Sequence, residues 1–121
     1  MTRPKETTYD EAQIAEKLKN LPGWWFENGM IRRNYKTDGW HSTLMLVTTI
    51  GYLAEAAYHH PDLAVSWAKV TVKLSTHSAG GITDKDFALA QKIDETALWR
   101  PAAGEALEGT PNKWVRSADP K

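Results

Sequence analysis

Apolar positions recur along this chain with two different periods, and the change from one period to the other predicts the order of its elements. Spacings of three and four residues predict helices over residues 8–21, 40–59 and 83–98. Alternation between apolar and polar positions predicts strands over residues 24–28, 30–35, 63–67 and 69–75. The first two strands meet at Asn28-Gly29, a dipeptide that favours a type I′ hairpin turn.

Short polar signals mark where these helices begin. Thr7 or Thr8 can cap the first helix and Asp38 the second, because their side-chain oxygens accept hydrogen bonds from free backbone N–H groups. Thr83 followed by Asp86 resembles a capping box, with aspartate where glutamate or glutamine is more usual. The third helix is therefore expected to begin directly after Thr83.

The order helix, two strands, helix, two strands, helix predicts a two-layer α+β domain. Strands joined by tight turns pair antiparallel, so the four strands form one antiparallel sheet, and three helices cover one of its faces. We expect residues 1–98 to form this single domain.

Residues 99–121 are rich in proline, glycine and charge, and they predict an irregular C-terminal extension. Disordered segments are depleted in aromatic residues, whereas this one carries Trp99 and Trp114. We therefore expect the extension to dock on the domain or on a neighbouring subunit. In this interpretation residues 99–116 run extended over that surface, with Trp114 anchored in an apolar groove.

The second predicted helix carries more apolar surface than one sheet can cover. Its two adjacent apolar stripes consist of Trp40, Leu44, Val47, Gly51, Ala54 and Tyr58, and of Leu46, Ile50, Leu53 and Ala57. An exposed apolar face of this size is an aggregation hazard in a monomer. The pattern therefore predicts a homodimer or homotetramer.

Composition bounds the class of protein. The 121 residues include fifteen basic and fifteen acidic side chains and no cysteine. Balanced charge gives no reason to expect a nucleic acid or a membrane as partner, and the lack of cysteine excludes disulfides and thiolate chemistry. The sequence contains no run of about 20 apolar residues, so it predicts no membrane span. Its first residues also lack the apolar run of a secretory signal. A cytoplasmic protein is the expectation.

The histidines are the strongest candidates for chemistry, because His59, His60 and His77 lie beside turn signals rather than inside apolar runs. Glu55 stands four residues before His59, so on a helix the two side chains share a face and can pair. If the preceding strand continues, His77 points away from the helix-covered face, where a pocket can lie. Histidines near neutrality suit general acid–base catalysis. The same pattern also fits ordinary surface histidines at a helix end.

Two other chemistries fit the sequence less well. Three histidines and a carboxylate can hold zinc, but the side chains of adjacent residues such as His59 and His60 usually diverge. No G-x-S-x-G motif marks a serine nucleophile, and Ala79-Gly80-Gly81 lacks the spacing of a phosphate-binding loop.

A longer pattern joins the candidate residues. Glu55, His59, His60 and Pro61 are followed by Trp67, by His77 in the sequence LSTH, and by Asp86 in the sequence TDKDFALA. This pattern, with Gly23-Trp24 at the first strand, resembles that of the pterin-4a-carbinolamine dehydratases, also known as the dimerisation cofactor of a homeodomain transcription factor. The resemblance covers about residues 8–98, and the family has the same order of helices and strands.

The resemblance implies a dehydratase that needs no cofactor and no metal. Its substrate is 4a-hydroxytetrahydropterin, supplied by an aromatic amino-acid hydroxylase, and its products are quinonoid dihydropterin and water. The residues implied are His59, His60 and His77 for catalysis, and Glu55, Trp24 and Asp86 for substrate binding. Within this set His59 and His77 act as acid–base groups and His60 contacts the substrate. Glu55 orients His59, Trp24 walls the planar pterin, and Asp86 binds or orients at the rim.

The alternative function belongs to a different class. Relatives of this family act as transcriptional coactivator partners or as Rubisco assembly factors, some of them without the catalytic histidines. The intact histidine set favours the enzyme here. Tyr58 departs from the family pattern, because some members carry an acidic residue directly before the histidine pair.

Overall fold

The computed structural model of the protein describes residues 6–109 and 114–118. Its helices there are α1 (Glu11–Leu18), α2 (Trp40–Ala57) and α3 (Asp84–Ala97). Its strands are β1 (Trp25–Glu27), β2 (Met30–Thr37), β3 (Asp62–Ser66), β4 (Lys69–Leu74) and β5 (Val115–Ser117). The predicted α+β class and the predicted order of the elements are confirmed.

The strands form one antiparallel sheet in the order β1-β2-β4-β3, and β5 also pairs with β2. One edge of β2 pairs with β4, from Ile31 opposite Leu74 to Lys36 opposite Lys69. On the other edge β1 covers the first residues of β2 and β5 covers the last. The prediction of four strands followed by an irregular extension is therefore wrong at β5. A strand of three residues is too short for its alternation to be recognised in the sequence.

The C-terminal extension contacts the core through Val115. This side chain packs against the hydrophobic core, and the Arg100 guanidinium donates a hydrogen bond to the Val115 carbonyl. Trp114 remains 52% exposed, so the prediction that Trp114 is the buried anchor is wrong. Residues 110–113 and 119–121 of the predicted extension lie outside the described residues.

One face of the sheet and all three helices share a single hydrophobic core. The sheet contributes Ile31, Tyr35, Val70, Val72 and Leu74, and the helices contribute Ile14, Leu46, Ile50, Leu89 and Ile93. The predicted alternation in β4 is confirmed, because Val70, Val72 and Leu74 are all fully buried. The helices therefore occupy one layer, with the intervening polar positions of β4 on the opposite face of the sheet.

The helices begin partly where the sequence predicted. At α3 the capping box of Thr83 and Asp86 is confirmed. At α1 the N-cap is Asp10 rather than Thr7 or Thr8, because the backbone N–H of Tyr9 donates to the Ile82 carbonyl and holds the preceding chain extended. At α2 the predicted cap Asp38 is also wrong. Gly39 precedes that helix without a side-chain cap, and the Asp38 carboxylate accepts from the Ser42 hydroxyl.

A buried polar cluster ties β2 to α3. The indole N–H of Trp24 donates to Asp94 Oδ2 over 2.9 Å, and the Tyr35 hydroxyl donates to Asp94 Oδ1. Arg33 Nε lies 2.9 Å from Asp94 Oδ1, an ion pair in which the N–H is not aimed at the oxygen. Burial, and then the Asp94 carboxylate, raise the pKa of Tyr35 above its ordinary value. Gly23 makes room for this cluster, because a Cβ there would lie 1.6 Å from Arg33 Nη1.

The outer face of α2 is apolar and uncovered. Trp40, Leu44 and Met45 are each between 43% and 49% exposed, and Tyr52 is 73% exposed. The inner face of the same helix is buried through Leu46 and Ile50 of one predicted stripe, whereas Trp40 and Leu44 of the other stripe are exposed. Met45 and Tyr52 extend the exposed apolar face beyond the predicted stripes. Among the described residues, no helix combines the length and the apolar content needed to cross a membrane.

Candidate active site

The candidate site forms where α2 ends. Tyr58 follows the last helical residue with φ 51° and ψ 45°, a left-handed conformation that bulky residues rarely adopt. The backbone N–H of His59 still reaches the carbonyl of Ala54 over 3.1 Å. The left-handed turn carries His59 and His60 off the helix, so their rings find partners on different elements.

His59 pairs with the buried carboxylate of Asp86. Its Nε2 lies 2.7 Å from Asp86 Oδ1, and the two side chains are 12% and 0% exposed. Asp86 Oδ2 accepts from the Thr76 hydroxyl over 2.8 Å and from the backbone N–H of Thr83 over 2.9 Å. A carboxylate in its ionised form only accepts hydrogen bonds, so this contact favours the His59 tautomer that carries its proton on Nε2. Nδ1 is thereby left as the ring nitrogen that can exchange a proton with a ligand.

Glu55 pairs with His60 and not with His59. The Glu55 Oε1 to His60 Nε2 distance is 2.8 Å, and the two side chains are 78% and 54% exposed. The predicted Glu55–His59 pair assumed that the helix continues through residue 59. The left-handed Tyr58 ends the helix first, which overturns the prediction that Glu55 orients His59.

His77 opens a short 3₁₀ turn, His77–Ala79. The predicted orientation relied on continuation of β4, but that strand ends at Leu74, and Thr76 forms an isolated bridge with Gly81 instead. The strand alternation therefore does not set the direction of the His77 ring. The ring is exposed and makes no hydrogen bond within the described part of the chain. Its nitrogens are free to meet a ligand.

The three histidines line one cleft of about 350 Å³, called here the histidine cleft. Its described lining consists of Glu6, Tyr58, His59, His60, Ser75, Thr76, His77, Ser78 and Lys85. The chain brings these residues together from the end of α2, the end of β4, the start of α3 and the segment before α1. The three predicted histidines are thus neighbours in space, as an acid–base site requires.

Sequence reasoning did not identify Glu6 as part of this cleft. Its carboxylate accepts from the Ser78 hydroxyl, and its Oε2 lies 3.1 Å from Lys85 Nζ. The Ser78 hydrogen bond, and then Lys85, lower the pKa of the Glu6 carboxyl, so it stays ionised further into acid. A glutamate among charged residues near a chain end carries no local signal, because its role depends on a contact with residues over 70 positions away.

Two of the predicted substrate-binding residues lie elsewhere. Trp24 is 6% exposed in the hydrophobic core and lines none of the clefts around the histidines, so it does not wall the histidine cleft. Its indole N–H is held by Asp94, which explains why the ring is turned inward. Asp86 is fully buried beneath His59 rather than at the rim. It reaches the cleft only through the His59 ring.

A second cleft of about 710 Å³ adjoins the first. It runs between α2 and α3, is mainly apolar, and shares Tyr58, His59 and Lys85 with the histidine cleft. His59 therefore lies at the boundary between an apolar and a polar region. In the described part of the chain, no three histidine or acidic side chains converge closely enough to hold a metal ion.

The sequence model of the family called pterin 4 alpha carbinolamine dehydratase matches residues 7–96. The chain belongs to this family. The match spans α1 to α3 and includes the histidines and Asp86, whereas Glu6 and the C-terminal extension lie outside it. The family recognised from the histidine pattern is therefore confirmed.

Similar proteins of known sequence carry the name pterin-4-alpha-carbinolamine dehydratase as a provisional assignment. One from Aquifex aeolicus is 49% identical over 85 residues, covering 70% of this chain and 86% of its own. One from Roseiflexus sp. (strain RS-1) is 45% identical over 89 residues, which cover 74% of this chain and 96% of the relative. The fold also matches the crystal structure of a "transcriptional coactivator/pterin dehydratase" from Brucella melitensis with a TM-score of 0.69. The two sequences are 28% identical, and the match covers 73% of this chain and 96% of that one.

Proposed function

We propose that the protein dehydrates 4a-hydroxytetrahydropterin to quinonoid dihydropterin and water by histidine acid–base catalysis. The observation that carries the proposal is the convergence of His59, His60 and His77 on one cleft, with His59 held by a buried carboxylate. Membership of the family supplies the substrate class. The roles proposed for the residues of this chain are argued from their contacts and exposure.

The reaction breaks the C–O bond at C4a and one N–H bond of the adjacent ring nitrogen, and it forms a C=N double bond between these two atoms. The hydroxyl on C4a leaves as water after it accepts a proton from an acid. The adjacent ring nitrogen loses its proton to a base, and its electron pair forms the new C=N double bond. One proton is delivered and one is collected, so the total number of protons on the protein is unchanged and no redox partner is needed. The acid regains its proton and the base releases its own by exchange with water before the next turnover.

His59 and His77 are the proposed proton-transfer groups. Asp86 stabilises the charged form of His59 when it holds a second proton, because the carboxylate is buried and fixed by two other hydrogen bonds. The His77 ring has no partner to compete with the substrate in the described structure. His60, paired with the exposed Glu55, is the proposed substrate contact. Glu55 then acts by orienting His60.

The direct test is turnover of synthetic 4a-hydroxytetrahydropterin by the purified protein. We expect dehydration well above the uncatalysed rate, unchanged after exhaustive treatment with EDTA, because proton transfer between histidines and substrate needs no Lewis acid. Absence of turnover would reject the proposed activity. Loss of turnover on EDTA treatment that zinc restores would instead favour a metal-assisted mechanism.

We also propose that the protein is a homodimer or homotetramer. The exposed face of α2 and the edge strand β3, whose outer edge pairs with no other strand among the described residues, both suit contacts between copies. Val65 on β3 is 42% exposed, and Trp67, which follows the strand, is 67% exposed. Light scattering at tens of micromolar is expected to give two or four times the chain mass of 13.6 kDa. Replacing the exposed Leu44 by arginine should shift the mass downward, and a wild-type mass of one chain would contradict the proposal.

A protein-binding role is the second candidate, and the uncovered α2 face is the observation that favours it. The Brucella relative is named for both a coactivator and a dehydratase. The two roles would use different surfaces of this chain, because the histidine cleft lies beyond the end of α2. The dehydratase proposal brings with it a cytoplasmic setting and an aromatic amino-acid hydroxylase as the source of substrate.

A further inference from the structure

The histidine cleft contains one carboxylate among its described lining residues, and that carboxylate is Glu6. Asp86 is shielded behind His59, and Glu55 is bonded to His60 outside the lining. Lys85 is the one permanently charged cation of the same lining. A ligand in this cleft that presents N–H donors therefore has Glu6 as its ionised acceptor.

The geometry of Glu6 leaves acceptor capacity on both oxygens. The Ser78 hydroxyl donates to Oε1, and Lys85 Nζ lies 3.1 Å from Oε2. Each carboxylate oxygen can accept two hydrogen bonds, so one acceptor position remains on each. The two existing contacts tie the carboxylate to Ser78 and Lys85, which also line the cleft, and they lower the pKa of the carboxyl. The Glu6 side chain is 46% exposed, so an ionised pair of acceptors at the cleft is accessible to a ligand.

A pterin presents the complementary pair of donors. Its pyrimidine ring carries N3–H beside the exocyclic 2-amino group, and the two N–H bonds run nearly parallel. A carboxylate accepts such a pair in the bidentate arrangement that it makes with a guanidinium group. Because C4a belongs to the same ring, a pterin held at this edge keeps its reacting carbon in the cleft with His59 and His77.

We infer that Glu6 anchors the N3–H and 2-amino edge of the pterin and selects 2-amino pterins over 2-oxo analogues. The inference rests on the proposed function for the choice of ligand. Glu6 is a binding residue and takes no part in proton transfer. Its loss therefore raises KM and leaves kcat close to the wild-type value, because the Glu6 contact stabilises the bound substrate and the transition state equally.

The test compares two ligands and three proteins by calorimetric titration. The ligands are 6,7-dimethylpterin and 6,7-dimethyllumazine, which differ at C2, where an amino donor becomes a carbonyl acceptor. The proteins are wild type, Glu6→Gln and Glu16→Gln. Glu16 is a matched control, an exposed glutamate on α1 that pairs with Lys19 and does not line the cleft.

Wild type and Glu16→Gln are expected to prefer the pterin over the lumazine. Glu6→Gln should bind the pterin about 10- to 100-fold more weakly, the range for a lost hydrogen bond to a charged group. It should also lose most of the preference for the amino ligand, because the glutamine amide presents a donor where the carboxylate presented an acceptor. A Glu6→Gln protein with wild-type affinity and wild-type preference overturns the inference, as does a wild-type protein that binds neither ligand.

The experiments can refute the proposed role of Glu6 and the proposed dehydratase activity independently of each other. If wild type turns over the carbinolamine and Glu6→Gln has an unchanged KM and an unchanged ligand preference, the anchor is wrong and the activity stands. If wild type discriminates between the two ligands through Glu6 but shows no turnover, the activity is wrong and the anchor stands. Thermal melting of each variant checks that the fold is retained.

Discussion

Replacing His59 or His77 with alanine is expected to lower kcat by about a hundredfold or more, the usual cost of losing a proton-transfer group. The two variants remove different parts of the machinery. His59→Ala removes a ring oriented by Asp86, whereas His77→Ala removes a ring that is exposed and unpartnered among the described residues. Steady-state dehydration rates at saturating 4a-hydroxytetrahydropterin measure the fall in kcat for both variants.

His41→Ala is the matched control for these variants. His41 is exposed near the start of α2 and does not line the histidine cleft, so its loss should leave kcat unchanged. Wild-type rates in both His59→Ala and His77→Ala would end the acid–base proposal. A fall in all three variants alike would point to damaged folding or assembly instead, which melting curves and light scattering would detect.

Much of the fold could be predicted from the sequence because its elements are specified locally. The alternation of Val70, Val72 and Leu74 and the capping box of Thr83 with Asp86 depend on neighbouring residues. The strand β5 depends instead on pairing with the free end of β2. No periodicity within three residues encodes a partner that lies about 80 positions earlier in the chain.

The sequence singled out the histidines that share this cleft, but not their pairings, and it missed Glu6 and misplaced Trp24. The histidines and Asp86 stand out by their pattern, whereas which carboxylate meets which histidine depends on the left-handed Tyr58. That conformation is rare for a tyrosine and is imposed by the surrounding fold, so helix spacing assigned Glu55 to the wrong ring. Tertiary structure decided this point.

Trp24 shows the same limit for aromatic residues. A tryptophan in a sequence is equally suited to a core and to the wall of a flat-ligand site, and six of them gave no means of choosing. The choice is made by Asp94, an acceptor 70 residues away that satisfies the indole N–H inside the protein. Without this acceptor the buried indole N–H of Trp24 would lack a hydrogen bond, which would favour turning the ring towards water.

Replacing Asp94 with alanine is expected to lower the free energy of unfolding by about 3 kcal/mol, within the range for breaking a buried ion pair from one side. The Arg33 side chain is 2% exposed and would keep its charge without a carboxylate partner, in contact with the Pro22 carbonyl and the Tyr35 ring. The Tyr35 hydroxyl and the Trp24 indole N–H would lose their acceptor as well. The Asp94 side chain is 19% exposed, so water can reach the space it leaves and hydrate the groups that lose their acceptor. The loss of unfolding free energy should therefore lie towards the lower end of that range.

Urea unfolding of Asp94→Ala beside Glu95→Ala measures this effect on one helix. Glu95 is 51% exposed and pairs with Lys92 at the surface, so its replacement should change the unfolding free energy by less than about 0.5 kcal/mol. In an Arg33→Met background the cost of Asp94→Ala should shrink, because the stranded charge is then absent. Equal costs in the two backgrounds would show that the ion pair does not stabilise the fold, and that Asp94 acts through Trp24 and Tyr35 alone.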